Sequence, residues 1–232
     1  EADVRFEDDT APPERGAGDG LLRALDERRL QIDFGDGLSV GPLELRQRGL
    51  AAMINATAAT TTARRLLGDR FDPESAAQAL RAVAPPFGRG EVIDVDGTPL
   101  ELVLVKNPAG FTVALSTYGT TPVATMIAIN DNYADGRDVS WLYDVSFASL
   151  RERGVALTSG VRAYDMALRL AYDDVETAAV EPELTAALDR FITEHPREPK
   201  RIFCTYTAMM ALRRTLAERY GLAEFGEEAE SA

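Results

Sequence analysis

Val123-Ala124-Thr125-Met126-Ile127-Ala128-Ile129 runs directly into Asn130-Asp131-Asn132-Tyr133-Ala134-Asp135-Gly136-Arg137-Asp138-Val139-Ser140-Trp141-Leu142-Tyr143-Asp144, and these two stretches together decide the fold. The first is too short and too rich in β-branched residues for a buried helix, and reads as a buried strand. The second is then a loop at a strand's carboxyl end, with four aspartates, the chain's only tryptophan and a glycine that permits a tight bend. In open α/β sheets, ligands and chemistry collect at such loops. Ordinary loop chemistry accounts for part of this, since Asp131 and Asp138 can cap neighbouring backbone. Four carboxylates around one tryptophan exceed what a turn needs, because unpaired like charges raise one another's pKa and destabilise the fold.

Working outward, strand, loop and helix recur. Glu91 to Val95 and Pro99 to Val105 flank Asp96-Gly97, a pair able to take positive φ, and so predict a hairpin. The second strand feeds Lys106-Asn107-Pro108-Ala109-Gly110 and a helix to about Tyr118. After the acidic loop come a helix over Phe147 to Arg153, a strand over Val155 to Thr158, and the helix Val161 to Tyr172. A strand within Asp174 to Val180, a helix over Pro182 to Glu194, a strand over Arg201 to Tyr206 and the helix Thr207 to Tyr220 complete the series. This alternation predicts an α/β fold with a Rossmann-like, mostly parallel sheet covered on both faces.

Upstream, the spacing of Leu21, Leu22 and Leu25 predicts a helix over Leu21 to Leu30, with Leu30 to Phe34 as a strand before the turn Gly35-Asp36-Gly37. Leu50 to Leu67 reads as an alanine- and threonine-rich helix stopped by Gly68. Asp72-Pro73 starts another, which Ala84-Pro85-Pro86 ends. Residues 1–20, rich in Pro, Gly and acids, read as a disordered lead-in, and residues 223–232 as an acidic tail.

With 45% hydrophobic and 27% charged residues the composition is that of a globular protein. The formal net charge of -13 argues against a nucleic-acid backbone or an anionic membrane as partner. One cysteine, Cys204, excludes an internal disulfide and a cysteine-rich zinc ribbon. No apolar run approaches the ~20 residues of a spanning helix, and the acidic start is unlike a signal peptide, so the expected location is the cytoplasm. His195 reads as a helix C-cap, Cys204 as a buried apolar residue and Asp173-Asp174 as a turn pair. Only Lys106 and Lys200 are lysines. Lys200 is taken for an unremarked loop residue, whereas Lys106, at a strand end, is a candidate for a phosphate or a substrate carboxylate, with a structural ion pair as the alternative.

Five blocks, in order, carry a resemblance. They are Phe87-Gly88-Arg89-Gly90-Glu91, Lys106 to Phe111, Asn130 to Trp141, Ser159 to Leu170, and Thr205-Tyr206-Thr207-Ala208-Met209. Residues of about 45 to 222 resemble the carboxyl-terminal half of the MurT family, the Mur-ligase-like subunits of lipid II isoglutaminyl synthase. The resemblance implies residues 21–86 as the end of a Mur-ligase central domain and 87–222 as a MurT-type C-terminal domain. It implies an enzyme subunit, a carbon-nitrogen ligase with glutamine as amido donor. That subunit uses ATP with Mg2+ to activate the α-carboxyl of D-glutamate in the lipid II stem peptide, which ammonia then attacks. The ammonia is implied to come from a partner glutaminase, GatD, whose Cys and His need an orienting carboxylate. By the resemblance the acidic loop donates it, and Asp135, Asp138 and Asp144 all fit the pattern; Asp138 and Asp144 come first, one near the loop tip and the other closing the motif. Trp141 and Tyr143 then pack the loop or face the partner. Arg89 is implied at the nucleotide phosphates and Asn55 at the adenine.

The departures are specific. No Gly-x-x-x-x-Gly-Lys-Ser/Thr loop stands in the 232 residues. The family's zinc ribbon is missing, Ala52 stands where a first asparagine is expected, and Ser146 replaces an acid. With Glu1 rather than methionine at the start, the expectation is the end of a longer ligase. The competing reading is a non-catalytic docking module that supports a glutaminase without binding ATP.

Overall fold

A computed structural model describes residue 16 and residues 18–83, 89–118 and 123–222. Most of the expected lead-in, the segment with Phe87 and Gly88, and the tail over 223–232 lie outside the described residues. The chain divides into two compact units, Glu1–Pro85 and Pro86–Ala232.

In the first unit a three-stranded antiparallel sheet is followed by two helices. β1 (Gly20–Ala24), β2 (Arg29–Phe34) and β3 (Ser39–Glu44) lie in sequence order. The helix expected over Leu21 to Leu30 is therefore a hairpin, with Leu22 opposite Ile32 and Ala24 opposite Leu30. Two facts overrule the helical spacing. Asp26 turns the chain by accepting from the backbone N–H groups of Arg28 (2.8 Å) and Arg29 (2.7 Å), a local alternative to a helical ladder. Leu30, Ile32 and Phe34 then bury one face at period two, whereas Leu25 stays exposed. Their core partners come from α1 (Leu50–Leu67) and α2 (Pro73–Ala82), through Met53, Ala56 and Ala77.

The start of α2 and the end of α1 are set as their sequences dictate, whereas the stop expected at Ala84-Pro85-Pro86 lies outside the described residues. The hydroxyls of Thr57, Thr60, Thr61 and Thr62 donate to carbonyls four residues back, so a threonine-rich face is satisfied within α1. Gly68 ends α1 at a φ of 54°. Asp72 caps α2 by accepting from Ser75 N (2.8 Å), with Pro73 in the first turn.

In the second unit β4 (Arg89–Val95) and β5 (Thr98–Leu104) form the expected hairpin, and Asp96 and Gly97 take φ of 52° and 82°. α3 (Pro108–Tyr118), β6 (Ala124–Ala128), β7 (Leu157–Ser159), α4 (Ala163–Tyr172), β8 (Val180–Glu181), α5 (Leu184–Glu194), β9 (Lys200–Cys204) and α6 (Tyr206–Tyr220) follow. The sheet order is β4-β5-β9-β6-β7-β8, parallel except for β4. Alternate residues of each strand enter opposite cores. Leu100, Leu102, Met126 and Ile202 meet α5 and α6, while Val103, Ile127, Ile129 and Phe203 meet α3 and α4. A parallel strand covered on both faces must be apolar throughout, which is why Val123 to Ile129 shows no polar alternation.

Two elements differ from expectation. The helix over Phe147 to Arg153 is a single 3-10 turn, Ala148–Leu150, because Phe147 is drawn wholly into the core against Phe111 (5.1 Å between ring centroids) and too few residues remain to propagate a helix. The strand within Asp174 to Val180 is one bridge, Val155 with Thr177, followed by the two-residue β8.

Lys200 is not a loop residue. It opens β9, is buried, and donates to Thr98 Oγ1 (2.8 Å) and the Glu198 carbonyl (3.0 Å). Burial holds its pKa below the ordinary lysine value, against the pull of Glu198 and Asp96. Next to it Arg201 pairs with Glu101 at 2.9 Å across the β5–β9 register, both nearly inaccessible. Breaking a buried pair strands a charge. Arg201→Met is therefore expected to destabilise the second unit by about 3–5 kcal/mol, measured by urea unfolding, whereas Arg214→Met, at an exposed pair, changes stability by less than about 1 kcal/mol.

Candidate functional site

Because β5, β9, β6 and β7 are parallel neighbours, their carboxyl ends bring Lys106-Asn107, Thr205-Thr207, the acidic loop and Ser159-Arg162 to one edge. Three sets of contacts lock the loop there.

The first centres on Thr207. Its hydroxyl accepts from Asn130 Nδ2 (3.0 Å) and Asn132 Nδ2 (2.9 Å) and donates to Asp135 Oδ2 (2.5 Å). That fills the donor and both lone pairs of a hydroxyl. Asp135 also accepts from Thr207 N (2.7 Å) and Asn132 N (3.1 Å), and is buried. Its carboxylate thus sits at the amino end of the 15-residue α6, where free N–H groups and the helix dipole favour negative charge.

The second set ties β6 to β7. Asn130 N donates to Thr205 Oγ1 (2.8 Å), and Asn130 Oδ1 accepts from Val161 N (3.0 Å). Gly160 has a φ of 85°, and a Cβ there would lie 2.5 Å from the Ile129 carbonyl oxygen and 2.7 Å from Asn130 Oδ1, so only glycine fits. Asp131 takes Arg162 Nε (3.0 Å) and Nη2 (2.7 Å) on one oxygen, and this ion pair holds the arginine pKa above its usual value.

The third is a buried arginine. Arg169 of α4 donates from Nε to the Leu142 carbonyl (3.0 Å) and from Nη2 to the Val145 carbonyl, and pairs with Asp173 at 3.0 Å. Asp173 in turn accepts from Phe147 N (2.5 Å). Burial raises the Asp173 pKa, but the hydrogen bonds from Arg169 and Phe147 and the charges of Arg169 and Arg151 outweigh it, leaving a net depression. The guanidinium grips the two carbonyls that flank Tyr143 and Asp144, fixing the 3-10 turn Ser140–Asp144 that carries them.

The three candidate carboxylates therefore differ. Asp135 faces inward and is fully engaged. Asp138 is exposed and accepts from Ser140 N (2.8 Å); hydrogen bonds from Ser140 hold its pKa down. Asp144 is exposed and, among the described residues, has no hydrogen-bond or ion-pair partner. Trp141 packs partly buried against Phe111 (6.3 Å between centroids), and Tyr143 is 53% exposed.

Lys106 is exposed beside Asn107, whose Oδ1 caps α3 at Gly110 N (2.7 Å). Arg89 opens β4, its side chain lying outside the described residues. Asn55 lies in the first unit, on a cleft of about 190 Å³ whose other lining includes Gln47, Leu45, Ala52, Ala59 and Leu80. His195 is the C-cap residue of α5, and Cys204 is buried with its thiol pushed to a high pKa by desolvation. The sequence reading missed Thr207, Arg169 and Asp173 as the loop's supports. Only the i, i+4 spacing of Arg169 and Asp173 on α4 was available as a signal.

An open parallel sheet with this edge and one antiparallel strand is the architecture of the Mur ligase C-terminal domain. MurF from Acinetobacter baumannii superposes with a TM-score of 0.64 at 19% identity, covering 86% of this chain and 45% of that one. Folylpolyglutamate synthase from Mycobacterium tuberculosis, solved with ADP and AMPPCP, gives 0.60 at 17% identity, over 89% and 48%. Within this class, residues 104–209 match the MurT ligase C-terminal family. The lipid II isoglutaminyl synthase subunit MurT of Streptococcus pneumoniae is 33% identical over 181 residues, 74% of this chain and 39% of that protein. Residues 104–209 thus carry the match to the MurT ligase C-terminal family, and the chain spans about two fifths of the length of that curated relative.

Two outcomes follow from the supports. Gly160→Ala is expected to destabilise the second unit by more than about 1 kcal/mol, read as a fall in melting temperature. Asp173, with a depressed folded pKa, contributes stability that is complete above its unfolded pKa of roughly 3.9 and is lost as pH falls through the lower folded value. The stability gap between wild type and Asp173→Asn should close over that interval in urea titrations at successive pH.

Proposed function

We propose that this chain is the ligase-side end of a lipid II isoglutaminyl synthase, amidating the D-glutamate α-carboxyl of the peptidoglycan stem with ammonia released by a GatD-like glutaminase. The observation that carries this reading is Asp144, an exposed carboxylate with no partner among the described residues, on a turn whose backbone Arg169 clamps from inside the fold. A glutaminase needs its cysteine thiol deprotonated by histidine, and the imidazole must be held in the right tautomer by a carboxylate. A rigid turn presenting an uncommitted acid meets that need. Asp138 is second, since it already spends one oxygen on Ser140 N. Asp135 supports the loop and does not reach across.

The nucleotide side of the reading is carried by Asn55. Its cleft combines apolar walls with the amides of Asn55 and Gln47, suited to a flat ring with hydrogen-bonding edges. In this proposal the first unit is the end of a Mur-ligase central domain, and Arg89 and Lys106 of the second are the candidates for phosphates or the substrate carboxylate. Bound ATP with Mg2+ supplies the phosphoryl chemistry that makes a carboxylate electrophilic. The residues of this chain bind and orient around it, and its phosphate-binding loop would belong to the remainder of the ligase.

The test uses the full ligase subunit co-purified with its glutaminase. Asp144→Asn is expected to lower glutamine hydrolysis by at least about a hundredfold, in line with loss of the orienting member of a triad, while the complex persists. Asp138→Asn should cost less than about tenfold. Full turnover in both variants would refute a shared triad.

A further inference from the structure

The last stretch of the acidic loop, residues 140–147, belongs to no strand, and its 3-10 turn Ser140–Asp144 starts at Val139 without a side-chain cap. Such a turn is a weak element by itself. Leu142, Val145 and Phe147 are buried, so the backbone beside them has to find its partners inside the protein. α4 provides them. Arg169 donates from Nε to the Leu142 carbonyl (3.0 Å) and from Nη2 to the Val145 carbonyl, and Asp173, four residues on, accepts from Phe147 N (2.5 Å). The two side chains then close on each other, Nη2 to Asp173 Oδ2 at 3.1 Å and Nη1 beside Oδ1 at 3.0 Å. One ion pair thus does for this segment what a ladder does for a strand. As a source of stability the arrangement is poor, because Arg169 is 5% exposed, its Nη1 makes no aligned hydrogen bond, and a buried guanidinium is costly to desolvate. What it supplies is direction.

We propose that Arg169 is a positioning residue for glutamine hydrolysis, acting through Asp144, and that Asp173 holds its guanidinium to that task. The inference rests on the shared-triad reading of Asp144 and deepens it. The gripped carbonyls belong to the residues on either side of Tyr143-Asp144, the two that the turn exposes. With both ends pinned, the direction in which the Asp144 side chain leaves the backbone is set from inside the fold. Packing alone would not set it. Trp141 against Phe111 and Leu142 in the core keep the turn on the protein, but apolar attraction is non-directional. The loop's other supports, Thr207 and Arg162, bond residues between Asn130 and Asp135, at its opposite end. The need is for arginine in particular. A planar fork reaches two carbonyls and a carboxylate at once, whereas an ammonium is a point charge on a flexible stem.

The experiment assays glutamine hydrolysis by the full ligase subunit with its glutaminase, as wild type, Arg169→Lys, Asp144→Asn and the double variant, with affinity of the two subunits measured by calorimetry. Arg169→Lys keeps a cation against Asp173 and is expected to assemble. Its kcat should fall about ten- to hundredfold, the effect of a misplacement of about 1 Å, while KM for glutamine, set in the partner, stays within about twofold. The double variant decides the role. In the Asp144→Asn background Arg169→Lys should cost less than about a further twofold, because a residue that only aims a carboxylate has nothing left to aim. Asp173→Asn, which loosens the guanidinium from one side, should give the same pattern at smaller size, and it carries the cycle by itself if Arg169→Lys does not assemble. Wild-type kcat for the variant in an intact complex overturns the positioning role, and an inactive Asp144→Asn beside it leaves the triad reading standing. A loss that multiplies with that of Asp144→Asn overturns it in favour of support for the fold alone. Full turnover in Asp144→Asn overturns the triad reading and the positioning role with it.

Discussion

The hydroxyl of Thr207 is the point on which the carboxyl edge of the sheet depends. It receives Asn130 and Asn132 and donates to Asp135, so one side chain at the start of α6 fixes both the exit of β6 and the first bend of the acidic loop. A loop with four carboxylates cannot be ordered by burial of apolar surface alone, because like charges repel. Here Asp135 is neutralised in place by two backbone N–H groups and a helix terminus, and Asp131 by Arg162. Only Asp138 and Asp144 remain outside.

Farther along the loop the same problem is solved by an arginine in the core. A guanidinium is hard to desolvate unless its donors are met. Arg169 meets those of Nε and Nη2 with two carbonyls and Asp173, while Nη1 is held beside Asp173 by charge at 3.0 Å without an aligned hydrogen bond, and the guanidinium lies 5.2 Å from the Phe147 ring and 5.7 Å from the Tyr143 ring. One consequence is mechanical: the turn bearing Asp144 is held from below. Another is compositional, since α4 spends its arginine on the interior and leaves tyrosine and leucine facing out.

Charge placement elsewhere follows the same logic of satisfied burial. The Glu101–Arg201 pair and Lys200 lie toward the amino ends of the strands, away from the edge that gathers the loops. Their partners are internal and they hold β5 and β9 together, so the two lysines of the chain have opposite fates. Lys200 is structural, and Lys106 stands exposed at the edge where a ligand could meet it.

Local chemistry made much of this legible in the sequence. Val123 to Ile129 had to be a two-sided buried strand, Asp96-Gly97 had to turn, and Gly68, Asp72 and Pro73 had to bound helices, because each outcome depends on a few neighbouring residues. The MurT resemblance also lay in contiguous blocks. Where neighbours allowed two periods, as at Leu21 to Leu30, the sequence could not choose, and the buried face of Leu30, Ile32 and Phe34 chose for it. Nor could it rank Asp135, Asp138 and Asp144, which look alike in a string of letters. Their difference comes from Thr207, 72 residues after Asp135, and from Arg169, 27 residues after Leu142. Those distances close only when the strands align, so the tertiary structure alone decided which acid is tied into the loop and which stays exposed.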